Sequence, residues 1–327
     1  NAATSNVAST SPATPSSPTT HVAGPDQPAP ASPSPGLPTP TGRSAAPLPA
    51  YPDRRPAGPH APRWNSGVRI DELTSDAVKR AARLARSRGR AFDVVSARLP
   101  AASWRDVQNP GRSLGVLRQL PGRKVVSVSL LPDTTGELTA CSKGDYRAYW
   151  GRFARAVRAN DLATAIIDLR PDAQGRAQAD PAGHSSCYRR VVGTLRQTLP
   201  GIRTQWSTER GASWGSDALR AWPGAAYVDI LGLDSIDTGD DWGRSVNGPF
   251  GLTWWSDFAA GQRRPLALAR WGAFPGSAES AANTPYVQNM HDWMVRTAGR
   301  KRLAYETFVL PRDAGQAVAT YRTLFAP

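Results

Sequence analysis

At 327 residues, with eleven tryptophans and only two cysteines, the chain has material for a sizeable core and is not a disulfide-stapled scaffold. No run approaches the roughly 20 apolar residues of a membrane helix. The net charge of +14 is nearly all arginine, scattered through every predicted helix without a dense basic stripe or a helix-turn-helix, zinc-finger or aromatic RNA-binding signature, so nucleic acid is not the expected partner.

Residues 1–61 are almost wholly Ala, Pro, Ser, Thr and Gly, with almost no large apolar side chains to offset the entropy of ordering. They are expected to form a disordered, proline-stiffened tether. The chain opens at Asn1 with neither methionine nor a basic and apolar leader, which fits an exported protein whose signal has been removed, or a fragment. Residues 62–327 carry globular composition and all eleven tryptophans, enough for one barrel-sized domain. Strand-like runs at 66–70, 91–96, 124–131, 164–169, 202–206, 227–233, 265–271 and 302–308 alternate there with amphipathic helices. Tyr146, Tyr149, Trp150, Phe153 and Val157 mark one buried helical stripe, and Tyr188, Val191, Val192 and Leu195 a second. Tyr286, Met290, Trp293 and Met294 mark a third; these aromatic and methionine positions belong to the core and imply no cofactor. Eight such units point to a closed (β/α)8 TIM barrel, and no GxGxxG loop follows the first strand to suggest a dinucleotide. Cys141 and Cys187 fit either one disulfide in an oxidising compartment or two buried thiols. Their places at the starts of consecutive barrel helices, on one rim, favour the disulfide.

In such a barrel, chemistry belongs at the carboxyl ends of the strands. Asp133 follows the third strand, Asp172 and Gln174 the fourth, and Trp206 and Glu209 close the fifth. Asp234 and Asp237 follow the sixth, Arg270 and Trp271 close the seventh, and Glu306 sits on the eighth. Carboxylates handle hydroxyls and glycosidic oxygens while indoles stack on pyranose faces, so acids and tryptophans on one rim point to a sugar site. Trp242 and Trp255 join Trp206 and Trp271 as stacking candidates. Each has an ordinary alternative. A rim acid caps a helix as readily as it binds a ligand, and Asp168 and Asp229 can be satisfied by neighbouring backbone or arginine. Glu209 can pair with Arg203 or Arg210, and Glu306 with Lys301 or Arg302. The four histidines, His21, His60, His184 and His291, form no HxH or HExxH cluster, so no metal is expected and no cofactor is implied.

A succession of short motifs runs from Trp64-Asn65-Ser66-Gly67-Val68 through Arg88-Gly89-Arg90, Phe92-Asp93-Val94, Ser103-Trp104, Leu130-Leu131-Pro132 and Gly144-Asp145-Tyr146. It continues through Tyr227-Val228-Asp229-Ile230-Leu231-Gly232-Leu233-Asp234, Trp271-Gly272, Asn283-Thr284-Pro285-Tyr286 and Met290-His291-Asp292-Trp293. In order and spacing this series resembles glycoside hydrolase family 26, the endo-β-mannanase family, in its divergent secreted bacterial branch. The resemblance implies a β-glycan-directed barrel with an acid/base glutamate after strand four and a nucleophilic glutamate closing strand seven directly before Trp-Gly. Here Asp172 takes the first place, within Arg170-Pro171-Asp172-Ala173-Gln174-Gly175, and Arg270 takes the second. A guanidinium stays protonated and offers only donors, so it cannot attack an anomeric carbon.

Three functions follow from these residues. The first is a secreted, catalytically silent relative that binds a β-mannan-like or other cell-wall polysaccharide. Trp206, Trp242, Trp255 and Trp271 would supply its stacking faces, and Asp172, Gln174, Asp234, Asp237 and Arg270 its polar contacts. Arg270 would then either pair with Asp172 or Asp234 or grip an anionic sugar. The second is an active glycosidase in which Glu209 or Glu306 partners Asp172. The third is a basic cell-envelope adhesion protein that holds polymer on its surface.

Overall fold

The computed structural model describes residues 64–171, 175–211, 215–237, 239, 241–272, 283–299, 302–311 and 315–327. The tether expected over 1–61, and Asp172 and Gln174, lie outside these residues. Eight parallel strands close in sequence order into one barrel: β1 (Asn65–Ile70), β2 (Val94–Arg98), β3 (Arg123–Ser129), β4 (Ile166–Arg170), β5 (Arg203–Glu209), β6 (Ile230–Ile236), β7 (Leu266–Gly272) and β8 (Leu303–Val309). β8 returns to β1, with Ser66 opposite Glu306 and Val68 opposite Phe308. The (β/α)8 architecture expected from the alternating runs is therefore present.

The crossovers carry α1 (Ser75–Ser87), α2 (Trp104–Gln108), α3 (Gly111–Arg118), α4 (Leu138–Lys143), α5 (Arg147–Ala159) and α6 (Arg176–Ala179). They continue with α7 (Pro181–Thr198), α8 (Gly215–Arg220), α9 (Trp242–Asn247), α10 (Leu252–Gly261), α11 (Thr284–Gly299) and α12 (Gln316–Leu324). Local chemistry starts several of them. Thr74 Oγ1 accepts from the Ala77 amide, Ser103 and Asp106 form a reciprocal capping box, and Asp180 caps α7 ahead of Pro181. The predicted stripes are where the helices meet the barrel: Trp150, Phe153 and Val157 of α5, and Tyr188, Val191, Val192 and Leu195 of α7, are buried.

Alternation along each strand separates two cores. Outward residues pack against the helices, and inward ones fill the barrel. Val94, Val125, Ile166, Ile230, Ala267 and Tyr305 form a separate apolar cluster inside it. A buried polar chain follows: the Tyr305 hydroxyl donates to Gln205 Oε1, Gln205 Nε2 donates to Ser207 Oγ (3.0 Å), and Ser207 Oγ donates to Asp168 Oδ1 (2.6 Å). Gly232 makes room for it, since a Cβ there would lie 2.1 Å from Ser207 Oγ and 2.6 Å from Gln205 Nε2.

Asp229 departs from its expected place within the sixth strand. It precedes β6 and accepts from the Thr204 amide (2.8 Å), so it fastens the amino-terminal end of β5 and faces away from the mouth. Cys141 of α4 and Cys187 of α7 are joined in a disulfide with Cα atoms 5.0 Å apart. Cys187 lies inside α7 and not at its start, but the two helices pack side by side, which brings the sulfurs together.

Candidate functional site

The carboxyl ends of the strands bring together four arginines, Arg69 of β1, Arg98 of β2, Arg170 of β4 and Arg270 of β7. Asp71, just past β1, accepts from Arg69 Nε at 2.9 Å and lies 3.4 Å from Arg270 Nε. Burial pushes the Asp71 carboxyl upward, but Arg69, Arg270 and Arg170 together outweigh it and hold the group below its usual range. Arg69, itself buried, also donates to Ser96 Oγ (2.9 Å). Arg170 bridges Asp168 (3.3 Å) and Asp234. Burial lowers the Arg170 pKa, yet the two carboxylates raise it further than burial lowers it.

Of the two partners offered for Arg270, Asp172 lies outside the described residues and Asp234 is engaged by another arginine. Strand register sets Asp234 opposite Arg270, but Arg170 occupies Asp234 and the Arg270 guanidinium meets Asp71, with 30% of its side chain still exposed. Arg98 is exposed at the rim and makes no hydrogen bond among the described residues. Desolvation and the neighbouring Arg170 and Arg69 lower its pKa, with Asp133 and Asp71 acting the other way.

Other expected site residues fall elsewhere. Trp206, Trp255 and Trp271 are each 0% exposed and sit in the layer between barrel and helices, where no ring face is open to a sugar. Trp206 packs against Trp222 and Trp255, and Trp271 against Phe308 and Phe325. The reason is strand parity: both Trp206 and Trp271 end up on the outward face of a strand whose inward neighbours point into the mouth. Glu306 is likewise outward and fully buried. It accepts from Ser66 Oγ (2.6 Å), the Gly67 amide (3.2 Å) and Trp271 Nε1 (2.5 Å), and not from Arg302, which pairs with Asp257. Burial raises its pKa to about 7, with Ser66, Trp271, Arg88 and the Gly67 amide pulling in the other direction.

Three expected residues remain at the carboxyl-terminal end. Glu209 closes β5 in an exposed position, and Arg210, offered as its partner, instead donates to Ser235 Oγ (3.1 Å) and Ser245 Oγ (2.8 Å). Asp237, 5% exposed, accepts from Asn283 Nδ2 (2.6 Å) and the Gly239 amide (3.0 Å). Trp242 opens α9 half-buried, its ring edge-on to Tyr286 at 6.1 Å. Arg69, Arg98, Arg170 and Asp71 escaped the sequence reading. A signal for two of the pairs exists, because Asp168 and Arg170 are two residues apart on β4 and so share a face, and Arg69 and Asp71 have the same spacing across the end of β1.

No family model matches the chain, and no curated protein sequence does. Solved structures share its fold at low identity. A modular endo-β-1,4-mannanase from Cellulomonas fimi, described among glycoside hydrolase family 26 mannanases, is 18% identical, with 79% of this chain and 69% of that one covered and a TM-score of 0.56. The YdhT protein from Bacillus subtilis is 16% identical over 80% of this chain and 83% of that one, with a TM-score of 0.53. GH26C from Muricauda sp. MAR_2010_75 is 13% identical over 80% of this chain and 85% of that one, also with a TM-score of 0.53. The likeness establishes the closed eight-stranded barrel fold.

Proposed function

We propose that this chain is an exported carbohydrate-binding protein that holds a β-glycan at the mouth of a glycoside-hydrolase-like barrel without cleaving it. The observation that carries this reading is Arg270, whose guanidinium stands at the end of β7 beside Asp71, where the family resemblance calls for a carboxylate nucleophile. Retaining hydrolysis needs two carboxyl groups about 5 to 5.5 Å apart, and inverting hydrolysis a pair about 6.5 to 9.5 Å apart with one of them held protonated. Inside this mouth Asp168 and Asp234 are bridged by Arg170, and Asp71 is held ionised by its arginines, which suits neither a general acid nor a free nucleophile. The carboxyl that does sit near neutrality, Glu306, is sealed between β8 and α12 with no path to a sugar.

Trp242 supplies the stacking face in this reading, with Asp237 and Glu209 as rim contacts. The disulfide supports an oxidising, extracellular setting, and no helix among the described residues is long and apolar enough to cross a membrane. Reducing-sugar release from mannans, xylans and β-glucans, run beside affinity electrophoresis in the same polymers, tests the proposal. Retardation without sugar release, relieved by Trp242→Ala, is the expected result. Sugar release by the parent chain overturns the silent reading, and release only after Arg270→Glu shows that the rest of the machinery is intact.

A further inference from the structure

Of the four guanidiniums at the mouth, three are ion-paired among the described residues. Asp168 and Asp234 are committed to Arg170, and Asp71 is shared between Arg69 and Arg270. Arg98 has no hydrogen-bonded partner among the described residues, although Arg170 and Arg69 are near enough to oppose its charge. Asp133, past the neighbouring β3, leaves Oδ1 buried without a hydrogen bond and forms no ion pair with Arg98 among the described residues. Arg270 touches Asp71 through Nε alone, at 3.4 Å, and none of its described contacts uses the two terminal nitrogens. Arg98 lies two residues beyond Ser96 on β2 and so shares the inward face from which Ser96 Oγ meets Arg69, while Arg270 reaches Asp71 just past the adjacent β1, so both side chains stand on the β1 side of the mouth. Two solvent-accessible guanidinium forks with unspent donors form a receptor for a planar oxyanion.

We infer that the mouth selects β-linked uronic acid residues, with Arg98 and Arg270 gripping the sugar carboxylate. The inference rests on the glycan-binding reading above and specifies its ligand. A neutral hexose presents a hydroxymethyl group where the uronic acid presents a carboxylate. The hydroxymethyl offers one neutral oxygen that accepts weakly, whereas the carboxylate offers two charged oxygens in the plane that matches a guanidinium fork. A surface explanation is also available, because Arg147, Arg152 and Arg155 line an outer groove of about 620 Å³ between α5 and α7. The test must separate the two.

The probes are β-1,4-linked hexamannuronate and β-1,4-mannohexaose, which share a backbone and differ only in carboxylate against hydroxymethyl. Calorimetric titration at physiological ionic strength is expected to show the uronate bound at least about tenfold more tightly. Arg98→Gln and Arg270→Gln should each cut that preference, while Arg152→Gln with Arg155→Gln leaves it unchanged. Thermal midpoints of all variants check that they are folded. Equal binding of the two hexasaccharides overturns the uronate inference and leaves glycan binding standing. Binding of neither removes both. A preference that survives loss of Arg98 and Arg270, and falls with Arg152 and Arg155, assigns it to surface charge and also overturns the inference.

Discussion

Arg170 and Glu306 show how differently the barrel treats buried charge on its two faces. Arg170 stabilises the inner layer by bridging two aspartates, one of them 0% and the other 6% exposed. Arg170→Met keeps the bulk but leaves Asp168 and Asp234 facing each other unpaired, and breaking a buried pair in this way costs about 3 to 5 kcal/mol. Urea denaturation measures it; a loss below about 1 kcal/mol would mean that the two aspartates are adequately solvated without Arg170. Glu306 has no paired cation, and burial raises its carboxyl from 4.5 to about 7. The folded state then keeps a proton that the unfolded chain releases. The stability linked to this group is fully present below pH 4.5 and lost as pH rises through about 7, by on the order of 3 kcal/mol. The stability difference between parent and Glu306→Gln should therefore shift by that amount between pH 4.5 and 8 and be flat beyond, as read from denaturation midpoints. A difference independent of pH contradicts the assignment.

At the scale of elements, the disulfide and one glycine carry measurable weight. Cys141–Cys187 spans a sequence separation of 46 and joins α4 to α7, so by loop-closure entropy its removal in a Cys141→Ser, Cys187→Ser variant costs about 4 kcal/mol. Gly232→Ala puts a methyl where Ser207 and Gln205 meet, and the forced displacement of that inner chain costs about 1 to 3 kcal/mol. Both are read as falls in unfolding free energy, and an unchanged Gly232→Ala midpoint would show that the inner layer yields freely. The elements themselves are legible in the sequence. Barrel strands buried on both faces give near-continuous apolar runs such as those at 124–131 and 227–233, and the intervening stripes fix the helices. What stays hidden is which face of a strand a residue takes. Trp206 and Trp271 lie close to the rim along their strands, yet one step in parity turns each toward the helices, while Arg170 and Arg270 turn inward. Partner choice is hidden for a further reason: Arg69 with Asp71 is local, but Arg170 with Asp234 and Arg270 with Asp71 meet only once the sheet has closed.

For the whole molecule, the proposed function predicts that the division between core and mouth separates stability from recognition. Trp206→Ala opens a cavity among Trp222 and Trp255 and should cost about 3 to 5 kcal/mol while leaving the affinity for glycan near that of the parent, provided the variant is assayed below its melting range. Trp242→Ala should do the reverse, with little loss of stability and loss of retention in polysaccharide gels. The arginine-rich mouth carries the proposed function, in which Arg270 stands where the two-carboxylate reaction would need its second member. The most direct measurement is incubation of the intact chain with saturating β-1,4-mannohexaose in ¹⁸O-water, followed by mass spectrometry of the sugar. The expected result is saturable binding with every hexamer recovered unbroken and unlabelled at any new end. Shorter oligosaccharides carrying ¹⁸O at a fresh reducing terminus would contradict it.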